Sequence, residues 1–537
     1  MHFKKVLVAS IVLTFTAALL IACGGSGATS PESGTTAGTT EASTANAVIA
    51  YVGSEIFDAS LDPIKGALPF GYSFITNALL KVTPEGTYAG DLAESWTVSD
   101  DSLIYTFELQ QGILFSDGAP FSAADVVFTY QTVMDNQALN ESVDLSRLAS
   151  VAADGDYTVT FTLSEPYSPF LDAAAMLGIA PEAVYDSEIF DRYPIGTGPW
   201  TVVQYDPNQQ IIVEPNVNYF GTAPHLDRVT LVSMDDATAL AAARSGQLGI
   251  VKVNPAHAGE DVDGMTAVNL PTIDVRMLSL PVLPLQEKEG MTIGNDITAD
   301  AAVREALNIG IDRQTIINNA LNGIGTPAAG FSSTLPWADY IPVDDNRKDE
   351  AKQILEDAGW VVGADEVREK DGVQLSFDVF ATEDRFALVA ALAEDAAHLG
   401  IQIVPHSSNW GEIADNMHTS SVIWGWGQQC PTVIYSLFSG EAALTPGGWD
   451  NAPTYMNPAV DAKINAALDA SSQDSANENW IAAQALAKED VPYLFIVNIE
   501  HTYFVADGLD ISPATQVPHP HGHGVPVISN MADWRFE

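Results

Sequence analysis

The chain has 537 residues, 47% of them hydrophobic, with 22 lysines and arginines against 70 aspartates and glutamates and a formal net charge of −48. So acidic a polymer is repelled by nucleic acid and by anionic lipid headgroups, which removes both from the partners to be considered. The length exceeds what one hydrophobic core serves, so two or three domains are expected, and with only Cys23 and Cys430 present, stability has to come from burial rather than from a disulfide framework.

Lys4 and Lys5 precede an uncharged run from Val6 to Ala22. A basic start, an apolar stretch and then small residues read as a secretory signal, and the run is short for a membrane span. Leu20-Ile21-Ala22-Cys23 resembles the bacterial lipobox, in which the cysteine is lipidated and opens the mature chain. The leader is therefore 1–22. Residues 23–46 consist mainly of Gly, Ser, Thr and Ala, with Glu32 and Glu41 the sole charges. That composition cannot bury enough apolar surface to fold, and it predicts a disordered tether.

Beyond the tether, residues 47–63 read as a buried strand running into a loop, and Phe74 to Leu80 as a short helix. Ile104, Tyr105, Phe107 and Leu109 form a strand-like run after an Asp-Asp-Ser turn. A second run starts at Leu114-Phe115 and ends at Asp117-Gly118, which predicts a hairpin. Ser122 and Asp125 have capping-box spacing, and Val126, Val127, Tyr130 and Val133 follow as a helical stripe. Residues 151–165 alternate as a strand after a turn. Asp300 caps a helix carrying Val303, Ala306 and Leu307, and Asp312 opens another that Gly323 ends. A helix and then the strand Ile401 to Val404 occupy 384–404, the β-α alternation of an open sheet. No phosphate-binding glycine loop, zinc-hydrolase helix motif, paired-cysteine motif or serine nucleophile elbow is present.

The wording of the sequence adds a resemblance. Ala93-Glu94-Ser95-Trp96, Y-T-F-x-L from Tyr105 and F-S-D-G-x-P-F-S-A-x-D-V-V-F-T-Y from Phe115 occur in that order. Pro194-Ile195-Gly196-Thr197-Gly198-Pro199-Trp200 and AKQILEDAGW at 351–360 follow. This resembles the extracytoplasmic solute-binding proteins of ABC importers, family 5, the dipeptide, oligopeptide and nickel binders, over nearly all of 47–537. The resemblance implies an α/β fold, a two-lobed periplasmic-binding-protein type II clamshell with an extra subdomain in the first lobe. The first lobe would comprise 47–91, 200–275 and 497–537, the extra subdomain 92–199 and the second lobe 276–496. Hinge crossings would fall near 270 and 497. It further implies no catalysis and no cofactor. The partners would be a small-molecule ligand and ABC permease subunits, with a lipid on Cys23 holding the chain at the outer face of the cytoplasmic membrane. A secreted glycosidase working with two carboxylates and a sensory protein presenting a ligand are the other classes considered.

The same resemblance points to ligand-binding residues. Phe70 and Tyr72 would face the cleft, and Trp424-Gly425-Trp426-Gly427-Gln428-Gln429-Cys430-Pro431 matches a family segment W-x-x-D-x-x-[DE]-P that lines the cavity. Indole planes and neutral amides at Trp410, Trp424, Trp426, Gln428 and Gln429 suit stacking and hydrogen bonding, and Arg276 is placed to meet an anion. Peptide-binding relatives have an aspartate where this chain has Gly427, and an acid where it has Cys430. The expected ligand is therefore a neutral, hydroxyl-rich or flat solute such as an oligosaccharide, with a peptide or a metal chelate as alternatives. His519, His521 and His523, alternate residues of PHPHGHG, would share one face of an extended segment and are candidate ligands for a metal; a loop of satisfied histidines is the competing reading.

Overall fold

Two strands much longer than the others organise the structure, a computed structural model that describes residues 46–57, 60–66, 74–83, 86–140, 142–444, 449–512 and 526–537. The expectations placed on the leader, Cys23, the tether up to residue 45, Phe70, Tyr72 and His519, His521 and His523 lie outside the described residues.

Eleven strands form one mixed sheet. They are β1 (Ala47–Tyr51), β2 (Trp200–Asp206), β3 (Gln210–Pro215), β4 (Arg228–Val232), β5 (Ile250–Val253), β6 (Met265–Ser279), β7 (Thr326–Pro327), β8 (Ser376–Thr382), β9 (Gln402–Ser408), β10 (Ser421–Trp426) and β11 (Tyr493–Ala506). Their order is β9-β8-β10-β6-β11-β5-β1-β4-β3-β2, with β7 also paired to β11. β1 runs parallel to β4 and β5 in one half, and β8 runs parallel to β9 and β10 in the other. Only β6 and β11, antiparallel to each other, extend through both halves.

The ladder between these two is broken at its middle. Pro271 pairs with Glu500, and the next partnered residue, Val275, faces Asn498. Proline has no N–H to give the ladder, so a break here costs little. Thr272 donates its hydroxyl to the Ile499 carbonyl at 2.8 Å and accepts from the Asp274 N–H at 3.0 Å, which satisfies the bulge locally. Each half has its own apolar core. Val48, Trp200, Val229 and Tyr503 belong to one, and Leu278, Leu307, Val379 and Ile496 to the other. Two packed bodies joined by an irregular strand pair are the material of a hinge.

A separate antiparallel sheet, Ala93–Val98, Ile104–Leu109, Thr158–Leu163 and Leu148–Ala153 in that order, is covered by the helix Ala123–Asp135. Ser122 caps this helix as expected, with its own N–H donating to Asp125 Oδ2 at 2.9 Å. Tyr130, Phe107 and Phe161 bury their rings between helix and sheet, centroids 4.7 and 5.4 Å apart at steep angles. Burial at roughly 1.5–3 kcal/mol per large apolar side chain holds the helix to this sheet.

Two expectations are corrected. Phe74 to Leu80 is not helical, because its carbonyls are used across the chain. Gly198 N–H donates to Ile75 O at 2.8 Å and Trp200 N–H to Phe74 O at 3.2 Å. A Cβ at Gly196 would stand 2.1 Å from Ile75 O, so glycine is needed there for close approach of two backbones. The Leu114-Phe115 run forms a turn rather than a strand: Leu114 bridges only Pro120, and Ile104–Leu109 pairs instead with Ala93–Val98 and Thr158–Leu163. Phe115 N–H to Ala119 O, at 2.8 Å, closes the loop too tightly for a ladder to grow.

Candidate functional site

β10 brings the sequence-predicted aromatics into the middle of the molecule, because it is hydrogen-bonded to β6 beside the bulge. Trp424 is buried. Its ring stacks on Trp410, at the start of the helix Trp410–Asn416, with centroids 6.0 Å apart and planes 25° apart. Trp449 meets both edge-on at 5.8 and 6.1 Å. Trp410 and Trp449 are 41% and 43% exposed, so the trio keeps ring surface available for a ligand that Trp424 alone does not offer. Arg385, which is buried, lies with its guanidinium carbon 5.1 Å from the Trp410 ring centre and donates to the Ile423 carbonyl at 3.1 Å. Burial, together with the nearby charge of Arg276, pushes its pKa down to about 10.

Arg276 is paired across the ladder with Gly425, on the strand next to the trio. Its guanidinium is held by the buried carboxylate of Asp274, which burial raises and the arginine lowers. Arg276 and Arg385 share the lining of a cavity of about 220 Å³ with Lys252, Asp384, Glu500 and His501. Burial first, then Lys252 and Arg276, hold the His501 imidazole well below its ordinary pKa, so it is neutral. Positive and negative groups are mixed here, and Arg276 already has a counter-ion.

Past β10, Gln428, Gln429 and Cys430 enter a larger cavity of about 500 Å³. One wall comes from Ser142 to Met176, beside the four-stranded sheet; the other comes from Gln428 to Leu468. The Gln429 carbonyl is fixed by Trp337 Nε1 at 2.6 Å. Trp426 is half-buried and packs against the apolar core that runs from the four-stranded sheet to this wall. The charged lining residues are Asp144, Arg147, Asp172, Glu441 and Asp450. Arg147 is committed elsewhere, with Glu165 at 3.2 Å and Asp469 at 2.7 Å. Burial lifts the Asp450 carboxyl and, further, that of Asp172, to about 7. It also pushes the Cys430 thiol well up, so the thiol is protonated beside Asp172.

The structure thus gathers Trp410 and Trp424 at one place and Gln428 and Gln429 at the next, and puts Arg276 in an ion pair at the bulge. Sequence reasoning missed Trp449, Arg385 and Asp172. Asp172 did carry a signal, as the lone charge in the apolar segment Pro169 to Ala180.

Two sheet halves joined at a bulged strand pair, with a third layer closing on an interior cavity, define the class: an α/β, two-lobed binding-protein clamshell of type II with an extra subdomain in the first lobe. The chain belongs to the bacterial extracellular solute-binding proteins, family 5, whose middle-region model matches residues 87–442. Proteins of this family serve ABC importers outside the cytoplasm. It is 30% identical to Protein XP55 of Streptomyces lividans over 535 residues, covering 95% of this chain and 94% of that one. It is 28% identical to the oligopeptide-binding protein AppA of Bacillus subtilis, covering 82% of each. Among solved structures, NikZ from Campylobacter jejuni in complex with Ni(L-His) superposes with a TM-score of 0.73 at 22% identity. That match covers 91% of this chain and 99% of that one, a likeness of fold.

Proposed function

We propose that this protein, anchored by a lipid on Cys23 at the outer face of the cytoplasmic membrane, captures a small solute in the larger cavity and delivers it to the permease subunits of an ABC importer. The position of the cavity carries the reading. Its walls belong to parts of the chain that meet across the cleft, so a ligand there contacts both and favours the closed arrangement. Closure is then the signal a permease reads, and no bond of the ligand is made or broken.

The ligand is proposed to lie outside the ordinary α-peptides. Gly427 offers no side chain at the position where peptide-binding relatives have an aspartate, and a buried ammonium without a carboxylate costs several kcal/mol. Exposed indole on Trp410 and Trp449 favours a flat or hydroxyl-rich solute such as an oligosaccharide. Titration calorimetry against di- to pentapeptides and a panel of oligosaccharides tests this. Binding of an oligosaccharide is expected, and tight binding of unmodified peptides overturns the ligand class. The three histidines of PHPHGHG are proposed as a separate metal site. Equilibrium dialysis with nickel, copper or zinc should show stoichiometric metal that is lost on His521→Ala with His523→Ala; equal retention removes the site.

A further inference from the structure

Asp172 stands apart from the other residues that line the larger cavity. It lies in the first turn of the helix Phe170–Met176, is only 5% exposed, and its Oδ2 makes no hydrogen bond among the described residues. Tyr88 and Cys430 hydrogen-bond to the carboxyl, yet burial outweighs both and raises it to about 7. An acid kept only to complete a core would set its second oxygen against a donor, because a buried acceptor left unpaired is costly.

The rest of the lining has the same sign. Asp144, Glu441 and Asp450 share the cavity with Asp172, and Arg147, the one base among its described lining residues, is held by Glu165 and Asp469. Asp144 is itself engaged, accepting from the Tyr167 hydroxyl at 3.3 Å and the Ser146 N–H at 2.8 Å. Asp172 is therefore the buried carboxylate with an oxygen to spare.

We infer that Asp172 is the anchor for a cationic group, an alkylammonium or a guanidinium, carried by the solute in the larger cavity. This rests on the reading of that cavity as the ligand site and narrows it: the ligand is an amine-bearing solute, with its flat or hydroxylated part left for the tryptophans. An aminated oligosaccharide meets both demands. Asp172 stands on the wall opposite the Gly427 position, so the amine it holds is not where peptide-binding relatives hold an α-ammonium.

Matched pairs that differ only in the cation test the assignment. The fully deacetylated glucosamine disaccharide is set against its N,N′-diacetyl form, butylguanidine against its neutral isostere butylurea, and spermidine against its triacetyl form. Thermal shift and calorimetry are run on the full chain, on Asp172→Asn and on Glu441→Gln. At least one amine should bind the wild type while its neutral partner does not. Asp172→Asn should weaken that binding by about thirtyfold or more, the range for stranding one partner of a buried charge pair. Glu441→Gln, at an exposed position of the lining that cannot unfold the protein, should weaken it by about two- to fivefold through lost long-range attraction. Equal binding of the amines by wild type and both variants overturns the anchor. If only the neutral members bind, the solute-binding reading stands and the anchor falls; if no compound binds, the anchor falls and the titration with oligosaccharides and peptides decides the reading of the cavity.

Discussion

Arg147 reaches over the larger cavity to Asp469, Nη1 to Oδ1 at 2.7 Å, joining residues 322 apart in the chain. The contact is not alone. Ser168 N–H donates to the Leu468 carbonyl and Ser168 Oγ to the Ala467 carbonyl, both at 2.9 Å, and Ser102 Oγ donates to the Ser471 carbonyl at 3.0 Å. Together these tie the wall beside the four-stranded sheet to the turn after the helix Pro458–Leu468, and so describe a closed cleft. Asp469 is over half exposed, so the pair itself adds only about 0–1 kcal/mol. Arg147→Ala should leave the melting temperature nearly unchanged but release a bound solute about two- to fivefold faster, as read by stopped-flow tryptophan fluorescence. An unchanged release rate would show that the bridge does not hold the cleft shut.

Asp172 gives a pH prediction whose sign follows from its raised pKa. In the unfolded chain the carboxyl titrates near 3.8, and in the folded protein near 7. The folded state therefore holds its proton more tightly, a contribution that is fully present below about pH 4 and is lost as pH rises through about 7. Of the groups facing it, Tyr167 and Cys430 stay neutral over this window because burial raises both. Without ligand, Asp172→Asn should melt at a higher temperature than the wild type at pH 8, and the advantage should vanish by pH 4. A difference that does not depend on pH would place the proton elsewhere.

How much of this could be seen in the sequence follows from the range over which each signal acts. Ser122 and Asp125 declare a helix start because the hydrogen bonds that define it close within three residues. The strands at 104–109 and 158–163 declare themselves through alternation. Phe74 to Leu80 failed because its backbone is claimed by Gly198 and Trp200, far along the chain, and helical spacing carries no trace of that claim. The bulge at Pro271 to Val275, opposite Asn498 to Glu500, had a local sign in the proline, which gives the ladder no N–H. The site was legible in its aromatic half. Trp424 stood in a recognisable segment, but Trp449 and Arg385 meet the tryptophan cluster, and Asp172 the larger cavity, from three other stretches, and only folding puts each in place.

The tryptophan trio divides into a buried member and two half-open ones, and the division predicts different outcomes. Trp410→Ala removes a ring with surface to spare and should weaken solute binding by on the order of 1–3 kcal/mol while the protein stays folded. Trp424→Ala opens a hole in the core and should cost about 3–5 kcal/mol of stability before binding is considered. Urea unfolding and calorimetry on the two variants separate these effects. Equal loss of stability in both would mean that Trp410 is structural too.

Anchoring is tested by Cys23→Ser. The proposed attachment is a single lipid on that cysteine, which keeps the protein in the same membrane as a permease. The variant should leave the membrane fraction and be recovered as soluble exported protein. Retention of the variant in membranes would mean that Cys23 is not the point of attachment.

Gly425 is the residue on which the hinge-side ion pair depends. It faces Arg276 across the β6–β10 ladder, and a Cβ there would lie 2.1 Å from Arg276 Nη1 and 2.7 Å from its Cζ. A flexible guanidinium would normally move aside, but this one is tied to Asp274, whose carboxylate is buried at the bulge. Moving it strands that charge, a penalty of roughly 3–5 kcal/mol where a buried pair is broken, less whatever the arginine recovers by a smaller shift. Gly425→Ala should therefore destabilise by about 1–4 kcal/mol, more than a surface methyl can explain. In a protein already carrying Asp274→Asn and Arg276→Met, no charge is left to strand, and the same Gly425→Ala change should cost well under half as much. Chemical denaturation of the four proteins gives the coupling directly. An identical cost in both backgrounds would mean that the glycine answers to the backbone and not to Arg276.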